Sequence, residues 1–151
     1  MVKTNNNFKS KKEEKKQKAN TLKEEILKEI ENALDSSKDK EGSLFYDLAK
    51  KTGEMLALEN VTTTRIRKVF NEVKVLDRRK RVDDKNTLKF ELKKLRARIA
   101  YLAGRFKEAK NFYEIIDKSI GLVENEKWTF ENFRDFFEAI VAYNRFFAEK
   151  E

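Results

Sequence analysis

The side chains with the most evident chemical capacity are the arginines and lysines between residues 60 and 110, where 17 basic groups stand against six acidic ones. At about 100° per residue on a helix, Arg67, Lys74, Arg78 and Arg81 fall in one row and Arg65, Lys68 and Arg79 in another. Further along, Lys94, Arg98 and Arg105 make a third row, with Lys89, Lys93 and Arg96 a fourth. A guanidinium group holds phosphate oxygens through two parallel N–H donors, and an ammonium group acts as a compact point charge. Rows of this kind suit the phosphate backbone of a nucleic acid, bound without regard to base sequence. The plainer reading is a solvated face that keeps the chain soluble. Segregation of charge favours the first: residues 21–59 carry six basic and ten acidic groups, and residues 111–151 five and nine.

Other chemistries are poorly supplied. Without histidine the chain lacks the commonest general base and transition-metal ligand, and without cysteine it has no thiolate nucleophile, disulfide or zinc–thiolate site. The four glycines, Gly42, Gly53, Gly104 and Gly121, stand alone, so no glycine-rich phosphate loop is present. Asp83-Asp84 resembles half of a two-metal centre, but such centres need carboxylates from several elements, and an acidic pair between helices is more often a turn or cap. No catalytic residue, metal or cofactor is expected. Twelve phenylalanines, six of them between Phe130 and Phe147, can stack on bases. Their helical spacing reads as core packing instead. Tyr101 and Tyr143 stay open to either role, because a phenol carries a polar tip.

These residues must be positioned by helices. There is no proline, few β-branched runs occur, and 41% of residues are charged while 39% are hydrophobic. The fold class is all-α: a compact bundle of five to six helices over residues 21–151, preceded by a basic arm at residues 1–20 that composition marks as disordered. That arm holds seven lysines and two glutamates. It either adds non-specific phosphate affinity or serves as a solubilising tail. Thr21, with Glu24 three residues on, predicts a capping box for a first helix reaching Leu34. Ser43 predicts the cap of a second helix, weakened at its centre by Gly53. The third helix starts in Thr62-Thr63-Thr64 and runs to about Arg81, and Asp83 to Asn86 breaks it. The fourth, Thr87 to Ala103, has the cleanest stripe: Leu88, Leu92, Leu95, Ile99 and Leu102. Gly104 follows, either as a left-handed cap or within a close helix crossing. A fifth helix covers Phe106 to Leu122, and Thr129 caps a sixth.

No segment approaches the ~18 apolar residues of a membrane span. The basic first twenty residues lack the apolar stretch of a secretory signal, so a cytoplasmic location is expected.

Three segments carry a family likeness. TTTRIRKVF (Thr62 to Phe70), LRARIAYLAGR (Leu95 to Arg105) and FRDFFEAIVAYNRFF (Phe133 to Phe147) resemble the recurring blocks of the Csm small-subunit family of type III-A CRISPR effector complexes. They stand in the family's order and cover roughly residues 45–147. The resemblance implies a small α-helical subunit that contacts the crRNA and target RNA. It implies self-association into an inner filament beside the crRNA-carrying backbone subunits, linking toward the large polymerase-like subunit. Chemistry in such complexes belongs to those other subunits. Arg65, Arg67 and Lys68 match the family's basic motif, as does Arg105 at A-G-R; Arg96 and Arg98 are added as candidate RNA-binding residues by their place on the same helices. The expectation is therefore a non-catalytic RNA-binding subunit. The alternative is a helical protein-interaction adaptor whose basic face binds an acidic partner.

Overall fold

A computed structural model describes the backbone of residues 2–79 and 85–148. Among the described residues there are six α-helices and no strand: α1 (Val2–Glu29), α2 (Ser43–Leu58), α3 (Thr63–Arg79), α4 (Lys85–Arg105), α5 (Lys110–Glu124) and α6 (Phe130–Ala148). Short 3-10 turns at Ile30–Asn32 and Lys107–Ala109 extend α1 and precede α5.

The apolar periodicity finds its partners. α2 lies along α6 in the most extensive helix pairing, with α1 against α2 and α3 against α6, while α4 rests on α5. Phe45, Phe112, Phe133, Phe136 and Phe137 fill the centre with almost no exposure. Phe45, Trp128 and Phe136 meet at centroid separations of 5.3–5.4 Å, and the Trp128 Nε1–H donates to the Ala33 carbonyl at 3.2 Å. The α3 stripe (Ile66, Val69, Phe70, Val73, Leu76) is buried throughout. On α4, Leu92, Leu95 and Ile99 are buried, and Leu88 and Leu102 pack against the core at either end.

Helix starts follow local chemistry. The Thr62 hydroxyl accepts from the Arg65 amide at 3.3 Å. Thr129 and Asn132 exchange bonds: the Thr129 amide donates to Asn132 Oδ1 at 2.9 Å and the Asn132 amide to Thr129 Oγ1 at 3.1 Å. This is the reciprocal pattern that satisfies first-turn donors. At α2 the cap is not Ser43. Gly42 takes the preceding position with φ 77°, a left-handed conformation that glycine adopts at little cost. The buried Asp39 carboxylate then accepts from the Leu44 and Phe45 amides at 2.9 and 3.0 Å, and from the Leu34 amide at 2.8 Å.

Two further expectations need correction. Thr21 caps nothing: it lies inside α1, its hydroxyl donating to the Gln17 carbonyl at 3.0 Å. Residue 20 lies within α1, next to buried Ala19. Lys, Glu, Gln and Ala are good helix formers, and each residue added to an already packed helix costs far less than a new nucleus. Gly104 is neither a left-handed cap nor a close crossing, since it sits in the last turn of α4 and a Cβ there would meet nothing within 4 Å. Gly53 holds the close crossing instead. A Cβ there would stand 2.7 Å from the Asn144 amide nitrogen and 2.8 Å from the Tyr143 Cβ. Asp83-Asp84 and Arg81 lie outside the described residues.

Candidate nucleic-acid interface

α3 and α4 bring cations from distant parts of the sequence to neighbouring positions. Arg98 of α4 reaches Glu72 of α3 at 2.6 Å while remaining 58% exposed. Together with Lys68, Tyr101 and the apolar edges Val69, Ala97 and Leu102, these residues line an open groove of about 490 Å³. Tyr101 is 69% exposed there, so its ring is available for contact rather than spent on the core.

One turn beyond Leu102, just past the end of α4, stands Phe106, whose amide donates to the Leu102 carbonyl at 2.9 Å. The Arg65 guanidinium lies over its ring at 3.6 Å from the centroid and pairs with Glu108 at 3.0 Å. Arg105 approaches the same ring at 5.5 Å and is otherwise exposed. The ring thus orients two guanidinium groups from opposite sides of the α3–α4 junction by cation–π attraction.

The remaining predicted residues point elsewhere. Arg67 sits beside Lys68 on the exposed side of α3, opening toward α6 in a shallow cleft with Thr63, Thr64, Arg145 and Ala148. The Thr63 hydroxyl anchors that side by donating to Asn144 of α6 at 2.9 Å. Arg96 turns away from the groove onto α5. It pairs with the Asp117 carboxylate, with Glu124 at 3.0 Å, and donates to the Asp117 carbonyl at 3.3 Å. Lys93 and Lys94 are also met by carboxylates, Glu124 at 3.6 Å and Glu91 at 3.9 Å. Lys68, Arg98 and Tyr101 therefore share one groove, with Arg65 and Arg105 converging at Phe106. Arg67 adjoins them, and Arg96 does not.

Two features escaped the sequence reading. Phe90 is 63% exposed on the outer side of α4, although its place off the Leu88–Leu102 stripe is a legible signal. Lys107, in the turn leading into α5, and Lys110, the first residue of α5, gather near Lys12, Lys15 and Lys16 of α1. That proximity depends on how α1 packs and has no local signature. Among the described residues no group of three or more acidic side chains is placed to hold a metal ion, and no helix is long and apolar enough to cross a membrane.

No curated protein and no solved structure matches the chain. A family model described as Csm2 Type III-A matches residues 38–150, from the Asp39 cap through the end of α6. The match spans all three of the segments that first suggested a likeness, so the chain belongs to the small-subunit family of the type III-A CRISPR Csm complex.

Proposed function

We propose that the protein is a non-catalytic subunit that grips an RNA backbone along the α3–α4 face. Within the effector complex this face meets the crRNA and target RNA. The other helices meet further copies of the chain, the crRNA-carrying backbone subunits and the large polymerase-like subunit. The observation that carries the reading is the groove holding Lys68, Arg98 and the exposed Tyr101, together with Arg65 and Arg105 gathered at the Phe106 ring just past the end of α4. Phosphates pass over the cations while Tyr101 offers a face to an unstacked base. Arg67 extends the track across α3. Arg96 contributes indirectly, by fastening α4 to α5 through Asp117 and Glu124.

The test replaces Arg67, Lys68 and Arg105 together by glutamate in the assembled complex, at positions where none of the three is ion-paired among the described residues. Helicity stays at the parental value. RNA retention weakens, and for a single strand the slope of log affinity against log salt becomes shallower by roughly two, as loss of about three phosphate contacts requires. Unchanged RNA retention at both low and high salt defeats the proposal. An adaptor with an acidic protein partner predicts that single-stranded RNA fails to compete that partner away, whereas the RNA reading predicts competition.

A further inference from the structure

Five lysines surround a cavity on the side of the bundle where α1, the end of α2 and the start of α5 meet. Lys12, Lys15 and Lys16 come from α1, Lys107 from the 3-10 turn and Lys110 from the first turn of α5. The cavity measures about 540 Å³, within the ~300–1,000 Å³ range of ligand pockets. Asn20, Asn60 and Asn111 add polar groups to its lining.

The charge balance is unusual for a merely solvated surface. Lysines slightly further along α1 are matched with carboxylates: Lys18 with Glu54 at 3.3 Å and Lys23 with Glu114 at 3.0 Å. The five at the cavity have no ion-pair partner among the described residues. Among the described residues two carboxylates line the space, and neither answers them. Glu108 is engaged by Arg65 at 3.0 Å. Glu59 is tied to Asn111, whose amide donates to Oε2 at 3.0 Å and which itself bonds to Asn20 at 3.0 Å. Burial pushes the Glu59 carboxyl up to about 7, so it holds its charge less firmly than an ordinary carboxylate. Like charges drawn into a concave site repel one another, and a bound anion removes that cost.

We infer that this cavity is a second phosphate-binding site, distinct from the α3–α4 face, which takes a ligand bearing several phosphate groups. The inference stands whether or not the α3–α4 face carries RNA. Such phosphates can belong to a nucleic-acid strand or to a free polyphosphate, and the experiment separates the two sources. The probes are a fluorescent single-stranded oligouridylate and inorganic tripolyphosphate, each titrated into the full chain at two salt concentrations. Two sets of variants come from different elements: Lys12→Gln with Lys15→Gln and Lys16→Gln, and Lys107→Gln with Lys110→Gln. Circular dichroism confirms that each folds, and the Arg67, Lys68 and Arg105 triple variant serves as a control for the other face.

If a strand is the ligand, both sets weaken oligouridylate binding by roughly tenfold at low salt and flatten its salt slope. If a free polyphosphate is the ligand, tripolyphosphate binds the parent at one site and both sets abolish it. Either result supports the site. Parental affinity and salt slope for both probes in both sets overturn it, whatever the control variant does. Loss of oligouridylate binding in the control alone, with tripolyphosphate binding unchanged in both sets, supports the α3–α4 face and overturns the cavity.

Discussion

Two carboxyl groups in this small protein are held in opposite ways by their surroundings. Burial pushes Asp39 upward, but the backbone amides of Leu34, Leu44, Phe45 and Gly42 pull harder, leaving it below its ordinary value of 3.8. Its contribution to stability is present above about pH 4 and is lost as the pH falls through the folded value. Asp39→Ala strands amides that the carboxylate now satisfies. A loss of about 2–3 kcal/mol is expected, seen as a melting temperature roughly 5–10 °C lower at pH 7. An Asp39→Ala protein that melts with the parent at pH 7 contradicts this account. Glu59 is the reverse case. Burial outweighs the Asn111 hydrogen bond and the Lys23 charge, and Glu108 adds repulsion, so the carboxyl rises from 4.5 to about 7. A raised acid stabilises the fold below its unfolded value and loses that contribution as the pH climbs through 7. Glu59→Gln should therefore melt above the parent at pH 8 and by a smaller margin at pH 5. Equal differences at the two pH values exclude the mechanism.

At the scale of helices, the two glycines at opposite ends of the packing range make a matched pair. Alanine is the better helix former by about 1 kcal/mol, so Gly104→Ala, in open space, should stabilise by about that amount. Gly53→Ala should do the opposite despite the same propensity gain. Its new methyl meets backbone atoms of α6 that cannot swing aside, at an overpacking cost of about 1–3 kcal/mol. Chemical denaturation of the two variants checks both signs. The sequence discloses that Gly53 interrupts an apolar helix but not what crosses it, because Asn144 and Tyr143 lie about ninety residues away. The helices themselves were legible wherever an apolar stripe repeats, as in Ile66 to Leu76 and Leu92 to Ile99. Their starts were legible where a hydroxyl caps its own first turn, as at Thr62 and Thr129. The start of α1 was not. Thr21 and Glu24 satisfy the capping pattern on paper, yet a polar segment rich in helix formers lets the helix continue upstream through them.

For the molecule as a whole, the segregation of charge seen along the chain survives folding only in part. Ion pairs across elements can be assigned only after packing. Thus nothing local distinguishes Arg96, which is consumed by α5, from Arg98, which faces the groove two residues on. The aromatic Phe106 was similarly silent as an organiser of Arg65 and Arg105. The family likeness was readable because it rests on contiguous blocks, and the match over residues 38–150 covers all of them.

The mounting of the two basic helices has a mechanical corollary. α3 is secured to α6, where Arg134 grasps Asp77 at 2.9 Å, whereas α4 is secured to α5 by Arg96. Between themselves they share the Glu72–Arg98 bridge, and Arg65 of α3 reaches Phe106 and Glu108 just past the end of α4. Loosening the Glu72–Arg98 bridge is therefore expected to let α3 and α4 shift against each other at the groove while the phenylalanine-filled interior stays shut.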